Sequence, residues 1–186
     1  LVVLNAIVME DYLKWLGEVG NSDSPEKAKT IITAARTYAL FYTSPNNRKF
    51  PGKDYDGSDD PDVFQKYLGY SLEQRNTKVN ALVDETNWMV ITLSGQIIKP
   101  WYFNQSNWKT RSFEDYCIAY KIVADCANNI QAKYLKSVVD PAWWTEYKWH
   151  WVGISWAWAE KMAKDWKKYD EIIKYFLTGV ELKKIY

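Results

Sequence analysis

The sequence predicts an α+β fold in one domain, residues 1–186, because helical patterns open the chain, extended runs occupy its middle and helical patterns close it. Three observations carry this. Residues 24–42 place Ala28, Ile31, Ile32, Ala35, Tyr38, Ala39 and Tyr42 on one stripe at helical spacing. In MVITLSGQIIKPWYF two apolar, β-branched runs flank Ser94-Gly95, which signals antiparallel hairpin strands. YDEIIKYFLTGVEL closes the chain on a helical repeat, with Gly179 just past its end.

The elements follow in order. VMEDYLKWLGEVG reads as a short helix ending near Gly17 to Gly20, which leaves Glu18 at a helix end facing a loop. Ser24 and Pro25 read as the N-cap and first position of the long helix. Arg36 falls at the edge of that helix's apolar stripe, where a guanidinium either reaches a neighbouring cleft or is solvated or ion-paired. Residues 44–62, rich in Pro, Gly, Asn and Asp, read as an irregular surface loop. Its DGSDD misses the spacing of a calcium-binding EF-hand loop, so a solvated loop is expected. The hairpin comes next, then a polar loop around SNWKT, then the closing helix from about Asp170 and a short extended tail. No repeat or low-complexity segment interrupts this order.

Composition narrows the function classes. A chain of 186 residues, 47% hydrophobic and 25% charged, is long enough to bury a core of its own. Its 24 basic and 23 acidic residues leave a net charge of +1 with no long run of either sign, so nothing marks a nucleic acid as partner. No apolar run reaches the roughly 18 residues of a transmembrane segment. The opening LVVLNAIVMEDY lacks a basic leader and a cleavage site, and without an initiator Met the chain reads as a fragment or excised domain. Cys117 and Cys126 stand nine apart, a spacing that fits no zinc or redox motif, and His150 is the single histidine. Two buried free thiols are the first reading and a disulfide the second; no metal and no cofactor is expected.

The anomaly is 11 Trp against 8 Gly, where an ordinary chain of this length holds roughly 13 Gly. Several indoles stand where a turn asks for glycine, in TNWMVITL, SNWKTRS and KDWKKYDE. An aromatic-rich core or a platform for stacking sugars is the plain reading.

MEDYLKWLGEV followed by SPEKAKTIITAARTYAL resembles the opening of the stage II sporulation protein D family, in which L-E-D-Y-L-x-G-x-x-x-G-E precedes A-L-K-A-Q-A-V-A-A-R-T-Y-A. FQKYLGYSLEQRNTKVNALVDETNWMVITLSGQII is similar to that family's Q-x-Y-x-G-Y stretch and its D-A-T-x-G-x-V-L-T-Y-N-G-x-x-I hairpin. YFNQSNWKTRS resembles its F-Y-S-A-S-x-G-G-x-T loop, and KWHWVGISWAWAEKMAKDWKKYDEIIKYFLTGVEL its closing G-H-G-V-G-M-S segment and the helices after it. The likeness runs from about Glu10 to Leu182. Trp15, Trp88, Trp108, Trp149, Trp151, Trp158 and Trp166 fall on family glycines. So consistent a replacement points to UGA codons, read as glycine in some uncultivated bacterial lineages and as tryptophan in another code table. Trp143, Trp144 and Trp156 join that set, while Trp101 falls at a family aromatic position. Glycine would then rise to about 18, near the ordinary share. The alternative is a diverged member that uses its indoles on sugars.

The resemblance implies lytic transglycosylase action on peptidoglycan glycan strands, often strands stripped of their peptides, at the cell envelope or outside the cell. A non-catalytic peptidoglycan-binding module or an activator of a cell-wall amidase is the alternative. Glu18 falls at the family's catalytic glutamate, a role that asks for a raised pKa. Around it the resemblance puts Arg36, Tyr38, Tyr102, Ser106, Thr110, His150 and Ser155 as substrate-binding residues. Arg36 and His150 would orient a muramyl lactate carboxylate or an acetamido carbonyl, and the hydroxyls would read sugar hydroxyls. Two departures stand out. Asn107 occupies the first glycine of the family's serine-glycine-glycine loop, and the loop in which some members hold zinc has neither Cys nor His here.

Overall fold

The computed structural model describes residues 3–122, 126–141 and 150–186, so Trp143, Trp144 and Trp149 lie outside the described residues. In chain order, α1 (Met9–Lys14), α2 (Pro25–Thr43) and α3 (Thr77–Glu85) precede β1 (Met89–Leu93) and β2 (Gln96–Ile97). The short strands β3 (Tyr102–Phe103) and β4 (Trp108–Lys109) follow, then α4 (Phe113–Ala119), α5 (Ile130–Tyr134), β5 (Val139–Asp140) and β6 (Ile154–Ser155). Helices α6 (Trp156–Lys164) and α7 (Tyr169–Phe176) and strand β7 (Glu181–Lys184) end the chain. The fold is α+β.

Helix α2 is the spine, touching α1, α3, α6, α7 and β1. It is buried well beyond one face, with Ala28, Ile31, Ala34, Ala35 and Ala39 in the core, and its alanines let neighbours approach closely. Two of its buried threonines, Thr30 and Thr37, turn their hydroxyls onto the helix's own carbonyls. The Thr37 hydroxyl donates to the Thr33 carbonyl at 2.6 Å and accepts from the Ile91 amide at 3.0 Å, which fastens β1 to the helix. Ser24 is the N-cap residue in extended conformation, but its side chain does not cap. Its hydroxyl and amide instead donate to the Glu160 carboxylate of α6, at 2.7 and 3.0 Å. A carboxylate there faces the positive end of α2 and ties two helices together.

Strand β1 is the middle of an antiparallel sheet ordered β2-β1-β7. Val90, Ile91 and Thr92 are all buried, as expected of a central strand covered on both faces. Ser94 (φ 51°) and Gly95 (φ 79°) make the two-residue turn to β2, both in the left-handed region such a turn requires. The extended tail is a full partner of β1, in register from Met89↔Lys184 to Thr92↔Glu181. Elsewhere β3 pairs in parallel with β6 (Tyr102↔Ile154), and β4 antiparallel with β5 (Trp108↔Asp140).

Two expectations are corrected. The first helix stops at Lys14 instead of near Gly17 to Gly20, because the chain beyond it pairs with a distant segment. Leu16 forms an antiparallel bridge with Tyr67, the Gly17 amide donates to the Lys66 carbonyl at 2.8 Å, and the Leu68 amide to the Trp15 carbonyl at 2.9 Å. The cysteines are not free thiols: Cys117 and Cys126 form a disulfide with their Cα atoms 6.4 Å apart. Helix α4 ends two residues after Cys117, and Lys121 turns left-handed (φ 53°). The Ile122 amide then donates to the Cys117 carbonyl at 2.9 Å, so the chain doubles back on itself.

Candidate functional site

The bridge between residues 15–17 and 66–68 sets Glu18 against a segment 48 residues away, where the Lys66 amide donates to Glu18 Oε1 at 3.0 Å. Beside it lies Gln65, 1% exposed, whose amide organises three neighbours. The Ala35 carbonyl can only accept, so the Gln65 Nε2 group faces it at 3.2 Å and donates again to the Tyr102 hydroxyl at 2.8 Å. Gln65 Oε1 in turn accepts from the Tyr12 hydroxyl at 2.9 Å. Because the Tyr102 oxygen accepts from Gln65, its own O–H is directed elsewhere, and it acts on the Glu18 carboxyl in favour of the charged form.

Glu18 is partly buried, and burial pushes its carboxyl above the usual carboxylate range. The Lys66 amide and charge and the Tyr102 hydroxyl pull the other way without cancelling that effect. Burial, followed by the Glu18 charge, raises the Tyr12 and Tyr102 phenols; at Tyr38 burial acts first, then Tyr42, then Glu18. All three therefore remain protonated donors at neutral pH. Among the described residues no second carboxylate acts on Glu18.

From Tyr38 the same wall continues into a cationic and aromatic patch. Lys49 Nζ donates to the Tyr38 hydroxyl at 3.1 Å. Lys99 sits over the rings of Tyr42 and Trp101, and Trp101 packs edge-on against His150 with centroids 4.8 Å apart. His150 Nδ1 accepts from the Val152 amide at 3.0 Å. Burial, then Lys99 and Arg111, push its pKa down to about 4, so the imidazole is neutral with Nε2 as its donor.

Of the residues expected around Glu18, Tyr102 is nearest its carboxyl, Tyr38 packs on Tyr102 and feels the Glu18 charge, and His150 is farther along on Trp101. The other four are turned inward. Arg36 is fully buried and grips the Glu10 carboxylate with Nε at 2.8 Å and Nη2 at 2.7 Å, while Nη1 donates to the Met89 carbonyl at 3.1 Å. Of its two readings, the ion pair is the one observed. The Ser106 hydroxyl, just before β4, donates to Asp140 of β5 at 2.6 Å. Thr110 Oγ1 accepts from the Val138 amide at 2.9 Å. Ser155 caps α6 by accepting from the Trp158 amide at 3.3 Å. Gln65, Tyr12, Lys49 and Lys99 join the site without a local signal for it; Gln65 does stand in the FQKYLGY stretch that carries the resemblance, but its partners are remote in sequence.

The indoles divide by backbone geometry. Trp88, Trp108, Trp151 and Trp166 have φ of 57°, 68°, 60° and 66°, the left-handed region that favours glycine. Trp15 and Trp158 sit at conformations open to any residue. Trp156 opens α6, stacks on the Tyr102 ring at 6.0 Å, and buries an Nε1 that has no hydrogen-bond partner among the described residues. Gly153 (φ 87°) is a true requirement, because a Cβ there would run into the Trp101 carbonyl.

The chain belongs to the Stage II sporulation protein (SpoIID) family, whose profile matches residues 1–93, half of the sequence and the half that carries Glu18, Tyr38 and Gln65. That membership brings a sporulation- and cell-wall-related role. An uncharacterized protein of Brachyspira hyodysenteriae is 31% identical over 107 residues, 55% of this chain. The match covers 27% of the length of that curated relative. Among the described residues no helix is long and apolar enough to cross a membrane, and no three His, Cys, Asp or Glu side chains are grouped to hold a metal ion.

Proposed function

We propose that the protein cleaves peptidoglycan glycan strands as a lytic transglycosylase, with Glu18 as the one acid and base. The observation that carries this reading is a single partly buried carboxyl, raised by burial and eased by the Tyr102 hydroxyl, with no second carboxylate acting on it among the described residues. Hydrolysis with a water nucleophile ordinarily needs two carboxyl groups on opposite sides of the bond. An intramolecular nucleophile needs one. Protonated Glu18 gives its proton to the glycosidic oxygen as the C1–O bond breaks. The sugar's own C6 hydroxyl then attacks C1, its proton passes to the Glu18 carboxylate, and the products are a 1,6-anhydro end and a new free hydroxyl. Tyr38 and Tyr102, held protonated, donate to sugar oxygens or to the carboxylate as it forms.

The test is mass spectrometry of glycan digests for 1,6-anhydro ends. Glu18→Gln is expected to lower their formation by about 10²–10⁴-fold, the usual weight of a general acid–base group, while still binding glycan. Cleavage that survives Glu18→Gln would remove Glu18 from the mechanism. A second reading, a glycan-binding module or amidase activator without cleavage of its own, is favoured by Trp156, whose indole stacks on Tyr102 beside the carboxyl. Binding with no anhydro product from the unaltered chain would establish that alternative.

A further inference from the structure

Two ammonium groups share the wall of Glu18 and meet no carboxylate among the described residues. Lys49 comes from the irregular loop 44–62; its Nζ donates to the Tyr38 hydroxyl and the Val63 carbonyl and lies 5.7 and 5.5 Å from the ring centroids of Tyr38 and Tyr42. Lys99 leads from the hairpin to β3; its Nζ lies 5.4 Å from the Tyr42 centroid and 4.8 Å from that of Trp101. One ring, Tyr42, thus serves both cations. Neither lysine is in an ion pair among the described residues.

That pairing is costly for a fold. Both lysines are half-buried, lysine is rarely withdrawn from water without a counter-charge, and two ammonium groups brought together repel. The rings hold the charges by their faces, which satisfies the cations only in part and leaves N–H donors for something else. The neighbouring group cannot help, since His150 is neutral. Arg36, which the family resemblance assigns to a carboxylate of the substrate, is committed to Glu10 inside the molecule.

We infer that Lys49 and Lys99 form a carboxylate-binding subsite on the wall of Tyr38, the ring that stands between Lys49 and Tyr102. The aromatic surround lowers the local dielectric, so a carboxylate arriving there is held more strongly than on open surface. On the cell-wall reading, upon which this part rests, the carboxylate is the lactyl group of a muramyl residue without its peptide, and an amide at that position forfeits the charge. Lys49 and Lys99 then determine specificity without touching the reacting atoms.

Two measurements on the full chain test the subsite. The first is an NMR titration with sodium lactate, following the lysine side-chain signals. Those of Lys49 and Lys99 are expected to shift and saturate, and the response to vanish in the Lys49→Met, Lys99→Met double variant; no shift, or the same response of the remaining signals in the double variant, overturns the subsite. The second compares binding of peptide-free glycan oligomers carrying the lactyl group as free acid or as amide. The unaltered protein is expected to favour the acid by about tenfold, roughly one charge-assisted hydrogen bond. The double variant is expected to bind both forms as the unaltered protein binds the amide, which also shows that it has folded. Oligomers bound without preference for the acid would overturn the subsite and leave the cell-wall reading intact. Lactate saturating the lysines while neither oligomer binds would uphold the subsite and sink the cell-wall reading.

Discussion

A carboxyl that burial makes harder to ionise weakens the fold whenever it carries its charge. Glu18 has a folded pKa above its unfolded one, so it costs nothing below the unfolded value, and the penalty grows to its full size above the folded value. At pH 7 the penalty is present. Glu18→Gln, which keeps an acceptor for the Lys66 amide, is therefore expected to raise the denaturation midpoint at pH 7 while removing cleavage, and to lose that advantage near pH 4. A midpoint unchanged at pH 7 would mean that the carboxyl is as well solvated in the fold as outside it. The indoles at positive φ make a second argument about single residues. A left-handed backbone costs an L-residue roughly 1–2 kcal/mol, and Trp166 (φ 66°) is 90% exposed, with little packing to lose. Trp166→Gly is expected to raise stability by about 1 kcal/mol in urea denaturation. Trp151→Gly is expected to gain less, because that indole is 9% exposed and lies 5.4 Å from the Arg111 guanidinium. The sequence expectation that these positions are glycine codons extends to Trp88 and Trp108, whose backbone suits glycine; at Trp15, Trp156 and Trp158 the backbone makes no such demand. Reading the four codons as UGA would agree with that geometry, and UGG would refute the recoding.

Elements with local signals are legible in the sequence: the long helix through its stripe and Pro25, the hairpin through Ser94-Gly95, and the last helix through Gly179. What depends on distant pairing is not. The end of α1 is fixed by residues 66–68, the pairing of the extended tail by β1, and the disulfide by the turn after α4, none of which has a local signature. The site divides the same way. Glu18 and Tyr38 are readable from motif positions, whereas a stripe edge cannot say whether Arg36 points outward when α2 is covered on nearly every side. The start of α2 shows the same limit, since Ser24 has the residue type of a cap and Glu160 does that work. Burial alone would raise the Glu160 carboxyl, but the Ser24 hydroxyl and amide and Lys164 outweigh it and hold the group below its usual range. A depressed carboxyl adds stability above its unfolded pKa and loses it as pH falls through the folded one. Glu160→Gln is expected to cost about 1 kcal/mol at pH 7, as removal of a helix cap does, and to cost nothing once the pH is below the folded value. A deficit that persists unchanged into acid would show that shape, not charge, makes the Ser24 contact.

Across the whole molecule, stability and charge are kept apart. The α2, β1 and α7 core is apolar, and the buried cations of α2 are matched, Arg36 by Glu10 and Lys27 by Asp23. The wall of Lys49 and Lys99 holds two cations that no carboxylate among the described residues matches, which is the expected state of a surface kept for a ligand. The penalty has a definite pH signature. Burial, then Lys49, lowers the Lys99 pKa to about 8. A lysine depressed in the folded state weakens the fold while it is charged, and the loss is relieved as pH rises through the folded value toward about 10.4, its unfolded value. The protein is therefore expected to gain stability relative to Lys99→Met between pH 7 and pH 10, by on the order of 2 kcal/mol. Urea denaturation of both forms at the two pH values measures this directly. The same gain should shrink when lactate saturates the site, because an anion bound by the charged lysine removes the reason for its depressed pKa. A stability difference independent of pH would mean that Tyr42 and Trp101 stabilise the ammonium as well as water does, and that the wall holds no unmatched charge to offer a substrate.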